Sequence, residues 1–158
     1  MTEELKAKIK IAADSESIDP LLLLAVVMTE SAGNQFAMRY EPNWRYWANA
    51  EGFAVRNKIS VETERMLQSF SWGLTQVMGS VARELLFKDE LPRLIDPDLN
   101  LSLGAKKLKT LTKKHSKLDD AIAAYNAGIP KLRADSKYFN QHYVDRVNKF
   151  MKEFKGAI

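Results

Sequence analysis

The chain has 158 residues, 46% of them hydrophobic and 28% charged, which suits one compact domain with a real core over residues 1–158. It has no cysteine, so disulfide frameworks, thiolate nucleophiles and thiolate-bound zinc are excluded. The excess of 24 Lys and Arg over 20 Asp and Glu, net +4, favours approach to anionic surfaces without choosing among nucleic acid, acidic lipid and wall polymers.

In chain order, helical spacing predicts an amphipathic helix over about Glu3–Ala13. Asp19 as N-cap and Pro20 as first residue predict a second helix to about Ala32, stopped by Gly33-Asn34. Its run "LLLLAVVM" is too short for the roughly 20 residues of a membrane span. It also lacks the basic lead of a signal peptide, so no signal segment and no stable membrane insertion are expected. Glu30 then falls in the last turn of the most apolar helix, where an ionised group is expensive unless paired or neutralised.

The connection from Asn34 to Ser60 is the least regular part and holds Phe36, Tyr40, Trp44, Tyr46, Trp47 and Phe53, which fits a segment bordering a binding site. A helix follows over Ser60–Gln68. Residues 69–79, "SFSWGLTQVMG", are the one extended piece, read as a small β-hairpin or irregular loop. Further helices begin near Ser80, Asn100 and Leu118, the last closing at "NAGIP". The final helix puts Tyr143, Val147, Phe150, Met151 and Phe154 on one face. The fold class is therefore mainly α.

Three motifs stand in order: "ESAG" at residues 30–33, "SWGLTQVM" at 71–78 and "AYNAG" at 124–128, followed by "HYVDRV" at 142–147. This ordered set resembles the lytic transglycosylase family of the goose-type lysozyme superfamily over about Ile18–Val147, and so implies a lysozyme-like fold acting on peptidoglycan glycan strands. By that resemblance Glu30 matches the catalytic acid/base and Ser31 the serine after it. Gly73, Leu74 and Gln76 match the Gly-Leu-Met-Gln floor of the sugar groove, with Thr75 in place of the methionine. Tyr125 and Asn126 match the Ala-Tyr-Asn-Ala-Gly motif, and Tyr143 the late tyrosine that returns to the cleft. Two departures are Thr75 and a Glu30-to-Gly73 interval about twice the length usual in soluble cellular members. The aromatic insertion is more similar to bacteriophage versions, which implies synthesis in a host cytoplasm and action on the wall as an endolysin or virion component.

The residues argue for the same chemistry independently. A carboxyl set against Leu, Val and Met has a raised pKa and stays protonated near neutrality, as a glycosidic leaving oxygen requires. Having given its proton, it can take one back. With N-acetylmuramic acid, the substrate's acetamido oxygen and 6-hydroxyl replace a second carboxylate and water, giving a 1,6-anhydro end. A water-using muramidase of the same fold needs a second carboxylate, for which Glu41, Glu51 and Asp96 are candidates. A non-catalytic glycan-binding or virion module is the alternative from another class. The alternative for Glu30 is a structural one, reaching to solvent or pairing with Arg39 or Arg45. His115 and His142 are the only histidines, so neither a metal site nor a cofactor is expected, and the protein is read as a monomer. Lys106, Lys109, Lys113 and Lys117 read as one wet helical face that attracts wall polymers more readily than nucleic acid.

Overall fold

The computed structural model describes residues 1–158 as eight α-helices, a 3-10 helix and a three-stranded sheet. Helix α1 (Glu3–Glu16) starts where the Thr2 hydroxyl accepts the Leu5 N–H, and it runs a turn further than its apolar spacing predicts before Ser17 turns left-handed. Helix α2 (Pro20–Ser31) starts as its cap predicts, with the Asp19 carboxylate accepting the Leu21 N–H. Leu22 to Val27 are all buried, so α2 is apolar on every side and must be surrounded. Helix α6 (Pro97–Lys114), α7 (Leu118–Ala127) and α8 (Gln141–Glu153) complete this bundle with α1. Its core joins Ile9, Leu23, Leu101, Leu108, Ile122, Val144 and Val147.

The segment between Asn34 and Ser60 is more ordered than its composition predicts. It contributes strand β1 (Met38–Tyr40) and helix α3 (Ala50–Asn57), both absent from the sequence reading. Helix α4 (Val61–Gln68) follows, capped by Ser60. Strands β2 (Phe70–Trp72) and β3 (Val77–Met78) form the predicted hairpin. The expectation of at most a hairpin is corrected by β1, which pairs antiparallel with β2 in the register Met38 to Trp72 and Tyr40 to Phe70. Edge N–H and C=O groups of β2 need partners, and the three residues of β1 supply them. Helix α5 (Gly79–Glu84) and the 3-10 helix Leu91–Ile95 finish this lobe around Trp72, Val77, Leu91 and Leu94.

Polar contacts hold the lobe as much as apolar ones. The Glu64 and Arg83 side chains are both 0% exposed and form a two-pronged ion pair, 2.8 and 3.1 Å. Gln68 donates to Glu64 and clamps the Ala48 backbone from both sides. Arg83 also donates to the carbonyls of Phe87 and Asp89 and lies over the Phe53 ring. Every charged atom there has a partner, the condition under which such burial is tolerated.

Helix α6 begins three residues before the predicted start because Asp96 caps it, accepting the Leu99 N–H, with Pro97 as first residue. It ends at Lys114, so Lys117 belongs to the next turn and not to the lysine face. Lys109 leaves that face too, pairing with Glu16 of α1 at 2.9 Å. No helix is long and apolar enough to cross a membrane.

Candidate active site

A cleft of about 350 Å³ lies between the helical bundle and the β-lobe. Its bundle wall carries Glu30, Lys107, Tyr125 and Asn126; its lobe wall carries Ser71, Gln76 and Met78; Arg39 and the stretch Glu41–Trp44 form the rim.

Glu30 sits where α2 leaves the core, between the buried run ending at Val27 and the left-handed Ala32 that terminates the helix. The Tyr143 hydroxyl of α8 donates to its carboxyl at 2.7 Å. Loss of water around the carboxyl raises its pKa above the ordinary 4.5, outweighing the Tyr143 hydrogen bond and the attraction of Lys107, Arg39 and Arg146. The last turn of a helix, with its negative dipole end, opposes ionisation further. Glu30 does not pair with Arg39 or Arg45. Arg39 holds Glu41 at 2.6 Å, and Arg45 donates to the carbonyls of Pro42 and Trp44.

The β2–β3 turn is shaped from behind. Gly73 has φ +64, and a Cβ there would meet Asn100 Nδ2 at 2.5 Å and the Leu94 carbonyl at 2.8 Å, so only glycine fits. Buried Asn100 donates to the carbonyls of Trp72 and Leu94 and accepts from the Thr75 N–H and hydroxyl. Thr75 thus faces Asn100 and packs on Gly104, away from the cleft, so its replacement of methionine leaves the cleft lining untouched. Gln76, held at φ 46, spends both amide N–H groups on the carbonyls of Ala37 and Gly73. That fixes the amide's orientation and leaves Oε1 as its open acceptor. Asn126 is complementary: its Oδ1 accepts from Asn140, leaving its amide N–H groups open.

Of the residues expected at the site, Glu30, Gln76, Tyr125 and Asn126 line the cleft, and Tyr143 reaches it through Glu30. Ser31, Gly73 and Leu74 stand behind it. The Ser31 hydroxyl donates to the Leu74 carbonyl at 2.8 Å, and Leu74 is 1% exposed within the main core. None of the three lines the cleft: the Ser31 hydroxyl is engaged by backbone, Gly73 has no side chain and Leu74 is packed in the core, and their contact with substrate stays a proposal. Tyr125 donates its hydroxyl to the Thr75 carbonyl, tying bundle to lobe, and burial pushes its pKa far up.

The carboxylate candidates separate. Asp96 is a helix cap, Glu51 pairs with Arg65 at 2.6 Å on the surface, and only Glu41 shares the cleft with Glu30. In the aromatic insertion Trp44 turns to the cleft, whereas Trp47 donates to Ser69 and Phe53 lies against Arg83.

Sequence reasoning missed Lys107 and Asn100. Lys107 is the one α6 lysine lining the cleft, with Nζ donating to the Tyr125 carbonyl at 2.8 Å, 3.9 Å from that ring's centroid. Its signal was spacing: it lies four residues after Leu103 and four before Leu111, on the apolar side of the helix.

No curated protein and no solved structure matches the chain. A family model described as the transglycosylase SLT domain matches residues 7–146. That span takes in both walls of the cleft, and the chain therefore belongs to the SLT transglycosylase family, whose members act on peptidoglycan.

Proposed function

We propose that the chain is a lytic transglycosylase that cleaves the MurNAc–GlcNAc β-1,4 bond without water, with Glu30 as acid and then base. The observation that carries this reading is a single carboxyl, poorly solvated and under a tyrosine hydroxyl, that opens into a polar cleft. Neutral Glu30 passes its proton to the bridging oxygen as the C1–O bond breaks and the electron pair stays with the departing GlcNAc. The MurNAc acetamido oxygen closes on C1 to form an oxazolinium. The Glu30 carboxylate then removes the 6-hydroxyl proton while O6 bonds to C1 and releases the acetamido oxygen, leaving a 1,6-anhydro end and Glu30 reprotonated.

Gln76 Oε1 and the Asn126 amide N–H groups offer the acceptor and donors that an N-acetyl group requires. Trp44 supplies a flat apolar face suited to a pyranose. The rim's aromatic insertion supports a bacteriophage origin and action on the bacterial wall as an endolysin or virion component. A single catalytic unit over residues 1–158, working as a monomer on glycan strands and without a cofactor, completes the proposal.

One observation favours a second reading, a water-using muramidase: Glu41 shares the cleft and is kept in place by Arg39. Digesting purified peptidoglycan and weighing the muropeptides separates the two. Anhydro ends, lighter than reducing ends by one water, are expected; reducing ends alone would overturn the transglycosylase reading in favour of Glu41 and water.

A further inference from the structure

Lys107 is out of place on electrostatic grounds. Its ammonium is held by a carbonyl and an aromatic face, both neutral, and no carboxylate lies within ion-pair distance of it. Burial pushes its pKa down to about 8, against the pull of Glu30 and Glu84. A cation kept in poor solvent without a direct partner is destabilising, and a methionine would fill the same space at lower cost. Its anchor is rigid, because Tyr125 is itself fixed through its hydroxyl to the Thr75 carbonyl.

The cleft explains the arrangement. In the resting enzyme Glu30 must be neutral to serve as an acid, so a lysine in contact with it would ionise it prematurely and disarm it. Between the two proton transfers Glu30 is a carboxylate in a dry place and needs a countercharge. A lysine set back from contact, on the neighbouring helix α6 of the same wall, meets both demands: its field is weak against the neutral acid and strong against the anion. We propose that Lys107 is a positioning residue of this reaction, the fixed countercharge for the Glu30 carboxylate that exists only between the two proton transfers. The inference rests on the assignment of Glu30 as the acid.

The other groups facing Glu30 do not substitute for it. Tyr143 of α8 donates one hydrogen bond but carries no charge. Arg39 of β1 and Arg146 of α8 are exposed, and Arg39 is neutralised by Glu41, so salt screens them. On the Lys107 side, Glu84 of α5 is the other acidic group that acts on the ammonium.

The test uses the full chain on purified short glycan strands, following kcat and KM across pH for Lys107→Met and Lys107→Arg. Lys107→Met is expected to lose about tenfold in kcat with KM little changed. The alkaline limb of its profile should move to higher pH, because losing the positive field raises the Glu30 pKa. Lys107→Arg should restore most of the rate and the wild-type limb, since the charge returns. A rate loss with an unmoved limb would reduce Lys107 to a structural role, and a rise in KM at constant kcat would make it a substrate contact; either overturns the proposal. Should Lys107→Met not fold, the reciprocal effect carries the test: NMR titration of lysine side chains in Glu30→Gln should find Lys107 deprotonating at lower pH than in wild type, and an unchanged value would sink the coupling. Residual cleavage by Glu30→Gln marks failure of the acid assignment instead, so the two failures are distinguishable.

Discussion

The two walls of the cleft are held by different forces. The bundle wall presents Glu30 and Tyr143 from helices whose other faces form one apolar core around α2. The lobe wall presents Gln76 and Met78 from a turn and two short strands, positioned by Asn100 and the Glu64–Arg83 pair. Apolar packing is tolerant of detail but dense, so it gives the Glu30 carboxyl a poorly solvated and rigid base. Directional hydrogen bonds fix amide orientations, which is what reading an N-acetyl sugar requires. On the proposed reading, proton chemistry falls to the bundle wall, and the N-acetyl group is held by Gln76 of the lobe together with Asn126 of the bundle.

Glu30→Gln breaks that division most sharply. It should lower wall cleavage by at least about 10²-fold, since a glutamine has no transferable proton. The fold should not suffer. Because the folded carboxyl's pKa is raised, wild-type Glu30 contributes stability that is fully present below its ordinary 4.5 and lost as pH rises through the folded value. Thermal melts of the pair should therefore coincide or favour the wild type in acid and favour the variant at neutral pH. A variant that melts lower at every pH would place Glu30 among structural residues.

Arg83→Met attacks the other wall. It strands a fully buried Glu64 and should destabilise the protein by about 3–5 kcal/mol, read by urea unfolding. Near-wild-type stability would show that the lobe does not depend on its ion pair. Smaller is the effect of Tyr143→Phe, about tenfold in kcat, with the alkaline limb moved upward because the hydrogen bond it removes favours the carboxylate. A limb moving downward would reverse the sign given to Tyr143.

Glu41→Gln should change the rate by less than about threefold and leave anhydro ends as the product, since on the proposed route substrate groups do the work of a second carboxylate. Loss of activity there would move catalysis across the cleft. The least effect is expected from replacing Lys106, Lys113 and Lys117 together by glutamine: weaker adsorption to sacculi at low salt, and unchanged cleavage of short soluble strands. An equal loss on both substrates would bring those lysines into the cleft.

Much of the bundle wall was legible in advance because its signals are local. Asp19-Pro20 at the start of α2, the unbroken apolar run after it and the polar residue in its last turn place Glu30 without any tertiary knowledge. Strand β1 and helix α3 were not legible. Met38–Tyr40 is exposed at all three positions, so no alternation of burial marks it, and its pairing partners lie 30 to 34 residues away. Motif position singles out Ser31, Gly73 and Leu74, but only the packing shows that Ser31 bonds to the Leu74 carbonyl, that Asn100 crowds Gly73 and that Leu74 sits in the core.

By itself, then, the sequence determined the helices of the bundle, the central position of α2, and one carboxyl in its last turn, since propensity, capping and period act over a few neighbouring residues. Tertiary structure alone decided that the Tyr143 hydroxyl bonds the Glu30 carboxyl across 113 positions, that Gln76 spends both amide N–H groups on backbone, and that the Lys107 ammonium settles on the Tyr125 carbonyl beside the cleft. Those outcomes depend on partners distant in the chain, and on the demand that each buried polar atom find one, a demand that only the assembled packing can meet.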